Sequence, residues 1–179
     1  METTREPFDI AEATAVLSRT PGVLRTFLVG LTESWLNAKE AADAWTPLQV
    51  LGHLVETERT LWIPRARSIL EHGEEATFPS FERAAHLELH AGKGVGELLD
   101  LFEQLRRASL GELESLGLDA ETLTRKGRHP SFGTVTLGQL LSTWVVHDLA
   151  HSRQIFRSMA KRYREAVGPW RQYLRVMAE

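Results

Sequence analysis

Two stretches of this chain open a helix in the same way, and each leads into a long apolar repeat of helical period. In Thr46-Pro47-Leu48-Gln49 the threonine suits the N-cap and the proline the first helical position, while the glutamine completes a reciprocal capping box. Trp45 before it and Val50 after it are placed to form a hydrophobic staple. Thr136-Leu137-Gly138-Gln139 repeats the device, flanked by Val135 and Leu140. Apolar residues recur at helical spacing in two further segments, Leu24, Phe27, Leu28, Leu31 and Trp35, then Leu98, Leu99, Phe102, Leu105 and Leu113. The spacing predicts four long amphipathic helices over 21–37, 47–71, 94–116 and 137–163, and no segment alternates as a strand would. An all-α four-helix bundle follows. Its connections, 72–93 and 117–135, are long for a simple bundle and suited to roofing a site at one end. A short closing helix is expected around Pro169-Trp170.

With 179 residues, 42% hydrophobic and 25% charged, the chain can fill one core and is read as a single domain over 1–179. Its net charge of −3 is spread among interspersed acids and bases, which leaves no basic stripe for a phosphate backbone, so nucleic acid is not expected as a partner. Cysteine is absent, which excludes disulfides, thiolate metal sites and a cysteine nucleophile. Any thiol chemistry needs a thiol from outside. Residues 1–9 are polar and acidic, and nowhere do about eighteen apolar residues run together. A soluble, cytoplasmic protein with no membrane partner is expected.

The seven histidines carry the chemistry. His147 and His151 lie four apart on one helix face, and at about 100° per residue they continue the arc of Leu140 and Trp144 toward the core. Two buried imidazoles need partners, and a metal ion satisfies both at once. His53, beside Val50 and Leu54 on the other capped helix, is the natural third ligand. Three neutral imidazoles leave an ion its full charge and an open position. His86 and His90 share the same spacing, but Gly92, Gly94 and Gly96 follow in a charged stretch, so they are read as solvated surface or lid. His147-Asp148-x-x-His151 approaches the zinc-protease pattern His-Glu-x-x-His, with a shorter acid and no downstream histidine. Asp148 and Glu56, one turn from His53, are the acid/base candidates; Arg65 is expected to pair with Asp148 across helices, and Glu58 with exposed neighbours.

These residues also resemble a known group. Trp45-Thr46-Pro47 leads to Gly52-His53-Leu54 with Glu58 and Arg65 beyond, and Gly133-x-Val135-Thr136-Leu137-Gly138-Gln139 leads to His147-Asp148-x-x-His151-x-x-Gln154-Ile155. The pattern resembles the DinB-like superfamily of four-helix metalloproteins, which includes thiol transferases acting with bacillithiol or mycothiol. The resemblance covers most of the chain. It implies an up-down-down-up bundle, His53, His147 and His151 as ligands of one divalent ion, and a homodimer, to which five tryptophans add some support. Imidazoles suit zinc and nickel, and also iron or manganese. Three readings follow for a small-molecule substrate or none: transfer using a low-molecular-weight thiol, hydrolysis by an activated water, or a non-catalytic bundle stabilised by its metal.

Overall fold

The computed structural model describes residues 8–177; the polar start of the chain over 1–7 lies outside them, as do 178–179. Both capping boxes form. Thr46 Oγ1 accepts from Gln49 N at 3.2 Å while Gln49 Oε1 accepts from Thr46 N at 2.9 Å, and Thr136 and Gln139 do the same at 3.1 and 2.9 Å. They open α4 (Pro47–Thr60) and α8 (Leu137–Ala160). Before α4 stand α1 (Ile10–Leu17), α2 (Thr20–Leu28) and a short α3 (Glu33–Leu36). The helix expected over 21–37 is therefore divided, because Gly30 takes φ 86° and ends α2's path. The helix expected over 47–71 is also divided, into α4 and α5 (Trp62–His72). Pro64 has no N–H to offer the Thr60 carbonyl, and the break falls there. A short α6 (His86–Leu89) and the long α7 (Val95–Ser115) follow.

One expectation fails outright. Residues 126–136 form a hairpin, β1 (Lys126–His129) against β2 (Gly133–Thr136), antiparallel with Gly127 opposite Val135. Four-residue strands with polar side chains on both faces give no alternating signal, and only the turn, with Gly133 at φ 70°, marks them. The expected closing helix is present as a 3-10 turn over Gly168–Tyr173.

The core falls into two clusters, and the helices can be oriented by the order in which each visits them. Leu17, Trp62, Ile69, Leu113, Leu137 and Leu141 belong to the first; Leu24, Leu28, Val50, Leu51, Leu98, Leu99, Ile155 and Met159 belong to the second. The arm α1–α2 runs from the first cluster to the second, α4–α5 and α7 both run from the second to the first, and α8 returns. The four-helix bundle is thus up-down-down-up, and the two parallel arms, α4–α5 and α7, are those joined by the long 73–94 connection. Each fully buried Leu or Ile in these clusters contributes about 1.5–3 kcal/mol of transfer free energy. Among the described residues no helix is long and apolar enough to cross a membrane.

A candidate metal centre between α4 and α8

Between the two clusters the bundle is polar. His53 comes from α4, and His147 and His151 from successive turns of α8; among the described residues they are the one group of three or more metal-ligating side chains whose donor atoms all lie within 4.8 Å of one another. His53 Nε2 and His147 Nε2 are 3.3 Å apart. The ring centroids of His151 lie 4.6 Å from His53 and 4.3 Å from His147. His151 Nδ1 meets Gln154 Oε1 at 2.8 Å, which makes Nδ1 the protonated nitrogen and leaves Nε2 with its lone pair. All three side chains thus have Nε2 available for one ion.

Protonation states fit the same reading. Burial, then the imidazoles of His151 and His147, lowers the His53 pKa to about 2. Burial, then His151, lowers that of His147 to about 3, and burial lowers His151 despite the opposing bond from Gln154. Neutral imidazoles are the ligating form. The Nδ1 atoms of His53 and His147 are buried without a hydrogen-bond partner among the described residues. The donor set suits a divalent ion.

A cavity of about 650 Å³ opens over the three imidazoles. Trp62, Leu61 and Leu140 wall it from the helices, Phe78, Phe81 and Arg83 from the 73–85 connection, and His129 and Phe132 from the hairpin. These two connections are stitched together, since Phe78 N donates to Arg128 O at 2.9 Å and Thr134 Oγ1 to Glu74 Oε1 at 2.6 Å. They do roof the site. At the mouth His129 stacks on the exposed Phe132, with centroids 4.4 Å apart and planes 17° apart. Arg65 lines the cavity half-buried, with its pKa lowered by that burial. Its contacts are the Phe78 ring and a long 3.4 Å bond to Pro79 O; neither it nor Arg83, which lies over Trp45, forms an ion pair with a carboxylate among the described residues.

The expected partners of Asp148 and Glu58 are corrected. Both carboxylates are buried and bind Arg106, not Arg65 or exposed groups. Arg106 spends all five donor directions there: Nε on Glu58 Oε1 (3.0 Å), Nη1 on Leu17 O and Asp148 Oδ2 (2.7 Å each), and Nη2 on Glu58 Oε2 (2.8 Å) and Asp148 Oδ1 (3.0 Å). Trp144 Nε1 donates to Glu58 Oε2 at 3.1 Å. Burial opposes the Arg106 charge, but Asp148 and Glu58 more than offset it, so its pKa rises. Burial pushes Glu58 up, against the pull of Arg106. Glu56 pairs with Arg59 and stands 3.8 Å from His90 Nε2. Neither Asp148 nor Glu56 lines the cavity. His86 and His90 are not on the surface either: they are 1% and 9% exposed and pack on α4 beside Gly52.

Fold and site together define a four-helix bundle with three converging histidines, a group that could hold a metal ion, under a roofed cavity. Residues 17–155 match the DinB superfamily, and the chain belongs to it. Among solved structures it is similar to YfiT from Bacillus subtilis, at 23% identity and a TM-score of 0.73, over 89% of this chain and 92% of that one. That protein is described as a probable metal-dependent hydrolase with an unusual four-helix bundle topology. No curated protein sequence matches the chain.

Proposed function

We propose that the protein is a metal-dependent transferase that uses a low-molecular-weight thiol, with one divalent ion, zinc or nickel in preference to iron or manganese, on His53, His147 and His151. The observation that carries the reading is the cavity: about 650 Å³ over the three imidazoles, walled by Arg65 and Arg83 with no carboxylate among the described residues paired to either. That volume accommodates a small thiol together with an electrophile, and the guanidinium groups suit an anionic thiol. When bound, the ion supplies the Lewis acidity that makes a thiol, or a water, nucleophilic near neutral pH. The chain's own residues do the rest. Trp62, Phe78 and Phe81 pack the electrophile and exclude bulk water, and Arg65 and Arg83 hold the thiol's anionic end. The sulfur–carbon bond forms as the leaving group departs with its electron pair, and the thiol proton leaves through the open mouth. Asp148 and Glu56, both outside the cavity wall, act in this proposal on the placement of α8 and α4.

Hydrolysis is the second reading, favoured by the description of the YfiT neighbour. The deciding experiment follows conjugation of a model electrophile by metal-loaded protein with bacillithiol, mycothiol or a simpler thiol, against His151→Ala. Metal-dependent thiol consumption that His151→Ala abolishes is the expected result. No consumption, with metal-dependent cleavage of an ester or amide panel, replaces transfer by hydrolysis. If neither occurs and metal removal merely lowers the melting temperature, the bundle is non-catalytic. A homodimer belongs to the same proposal, supported by the exposed Val16, Phe27, Val146 and Leu149 on α1, α2 and α8.

A further inference from the structure

Two buried nitrogen atoms without partners among the described residues face a shared problem at the back of the site. His86 Nδ1 lies 2.9 Å from the Arg83 carbonyl, so Nδ1 carries the proton and Nε2 is left as an acceptor. That Nε2 is buried and unbonded. His53 Nδ1 is buried and unbonded as well. Once His53 gives Nε2 to an ion, its proton must sit on Nδ1, which is then a donor. The two rings meet edge to face with centroids 5.2 Å apart, and Trp45 packs against both, at 5.0 Å from His53 and 4.5 Å from His86. One missing donor bond and one missing acceptor bond therefore lie in adjacent rings. The corresponding bond is already made on the other helix, where His151 Nδ1 meets Gln154 Oε1.

The α6 segment reaches this position because α4 has no side chain at Gly52. A Cβ there would lie 3.3 Å from His90 Cβ and 3.6 Å from His86 Cδ2, so the residue preceding His53 leaves room for the imidazoles of the next segment.

We propose that His86 is a positioning residue of the metal centre: its Nε2 accepts from His53 Nδ1–H, directly or through one bridging water, and fixes the tautomer and ring plane in which His53 presents Nε2. The inference rests on the three-histidine metal reading. It extends the site beyond its three histidines, to one side chain held by the Arg83 carbonyl in the connection that also roofs the cavity.

The test measures zinc affinity by competition with a chromophoric chelator, and the visible spectrum of the cobalt(II) protein, on metal-free chains first checked for helix content. His86→Phe keeps the packing and removes the acceptor; affinity is expected to fall about 10–100-fold and the cobalt bands to shift. His86→Gln, whose Oε1 stands near the position of Nε2, is expected to stay within about threefold of wild type. His86→Asn reaches the Arg83 carbonyl but not His53, and is expected to fall with the phenylalanine variant. Wild-type affinity in both Phe and Asn variants overturns the proposal, as does an equal loss in Gln, which would assign the effect to packing. A wild-type chain that takes up no zinc overturns the metal centre and this inference with it; a wild-type chain that binds zinc isolates the role of His86.

Discussion

Removing Arg106 tests how the bundle holds its polar middle layer. Arg106→Met retains much of the apolar stem against Phe102 and Trp144 while deleting five hydrogen bonds, and it leaves Glu58 and Asp148 buried without a cation. Breaking a buried pair from one side costs about 3–5 kcal/mol, a large part of the roughly 5–15 kcal/mol that holds such a domain together. At about 2–4 °C per kcal/mol the melting temperature should fall by roughly 6–20 °C. The effect has a pH signature. Burial already pushes the Glu58 carboxyl above its ordinary value of about 4, and without the guanidinium that push is unopposed. The neutral form of Glu58 is then the one the fold accepts, so its contribution to the variant's stability is fully present below about pH 4 and is lost as pH rises through the folded value. Urea unfolding of metal-free protein, followed by far-ultraviolet circular dichroism, should therefore show a larger deficit at about pH 8 than at about pH 5. Adding Glu58→Gln and Asp148→Asn should recover part of it. A variant within about 1 kcal/mol of wild type at the higher pH, or a deficit that does not shrink on acidification, would refute the reasoning.

Elemental analysis should find about one divalent ion per chain, lost in each of His53→Ala, His147→Ala and His151→Ala; full occupancy in all three would remove the site. Gly127→Ala should destabilise by about 1–3 kcal/mol in thermal melts, because the new methyl would stand 2.5 Å from Ile69 Cγ1 and 3.1 Å from Phe78 Cζ; an unchanged melting temperature would show that the hairpin lifts off α5 freely. Arg83→Ala should raise KM for an anionic thiol and leave that for a neutral thiol unchanged, which steady-state kinetics separates; equal effects on both would remove the charge-recognition role. Light scattering at micromolar concentration should report a dimer, and a monomer of 20.2 kDa would count against it.

The convergence of His53, His147 and His151 was legible because each sits on a helix whose start is written in a capping box, and because a spacing of four on an apolar arc can point only one way. The polar layer was legible in part. Leu99, Phe102, Arg106, Ser109 and Leu113 follow one helical stripe, so the position of Arg106 on a buried face could be read, but its partners could not, since they come from two other helices. Charge alone points Arg65 at Asp148, and charge carries no distance; the cation that reaches Asp148 is Arg106. His86 and His90 misled for a different reason: the glycines around them weaken local helix signals, and what buries them is an absence on another element, the bare Cα of Gly52. The hairpin escaped because its strands are short and its burial comes from Gly127 resting on Ile69 and Phe78, a contact that no pattern within the segment encodes.

The roof and the ligands belong to different parts of the chain. His53, His147 and His151 are fixed by the interior of two helices, whereas Phe78, Phe81, Arg83, His129 and Phe132 sit on two surface connections tied mainly to each other. At the hairpin end of the roof, His129 and Phe132, selectivity can therefore drift without touching the three histidines, whereas the Arg83 carbonyl, which holds His86 behind His53, ties the other end to their placement. Grafting the paired segments 73–85 and 126–136 as one unit, rather than either alone, is the smallest exchange that would carry a preference from one bundle of this kind to another.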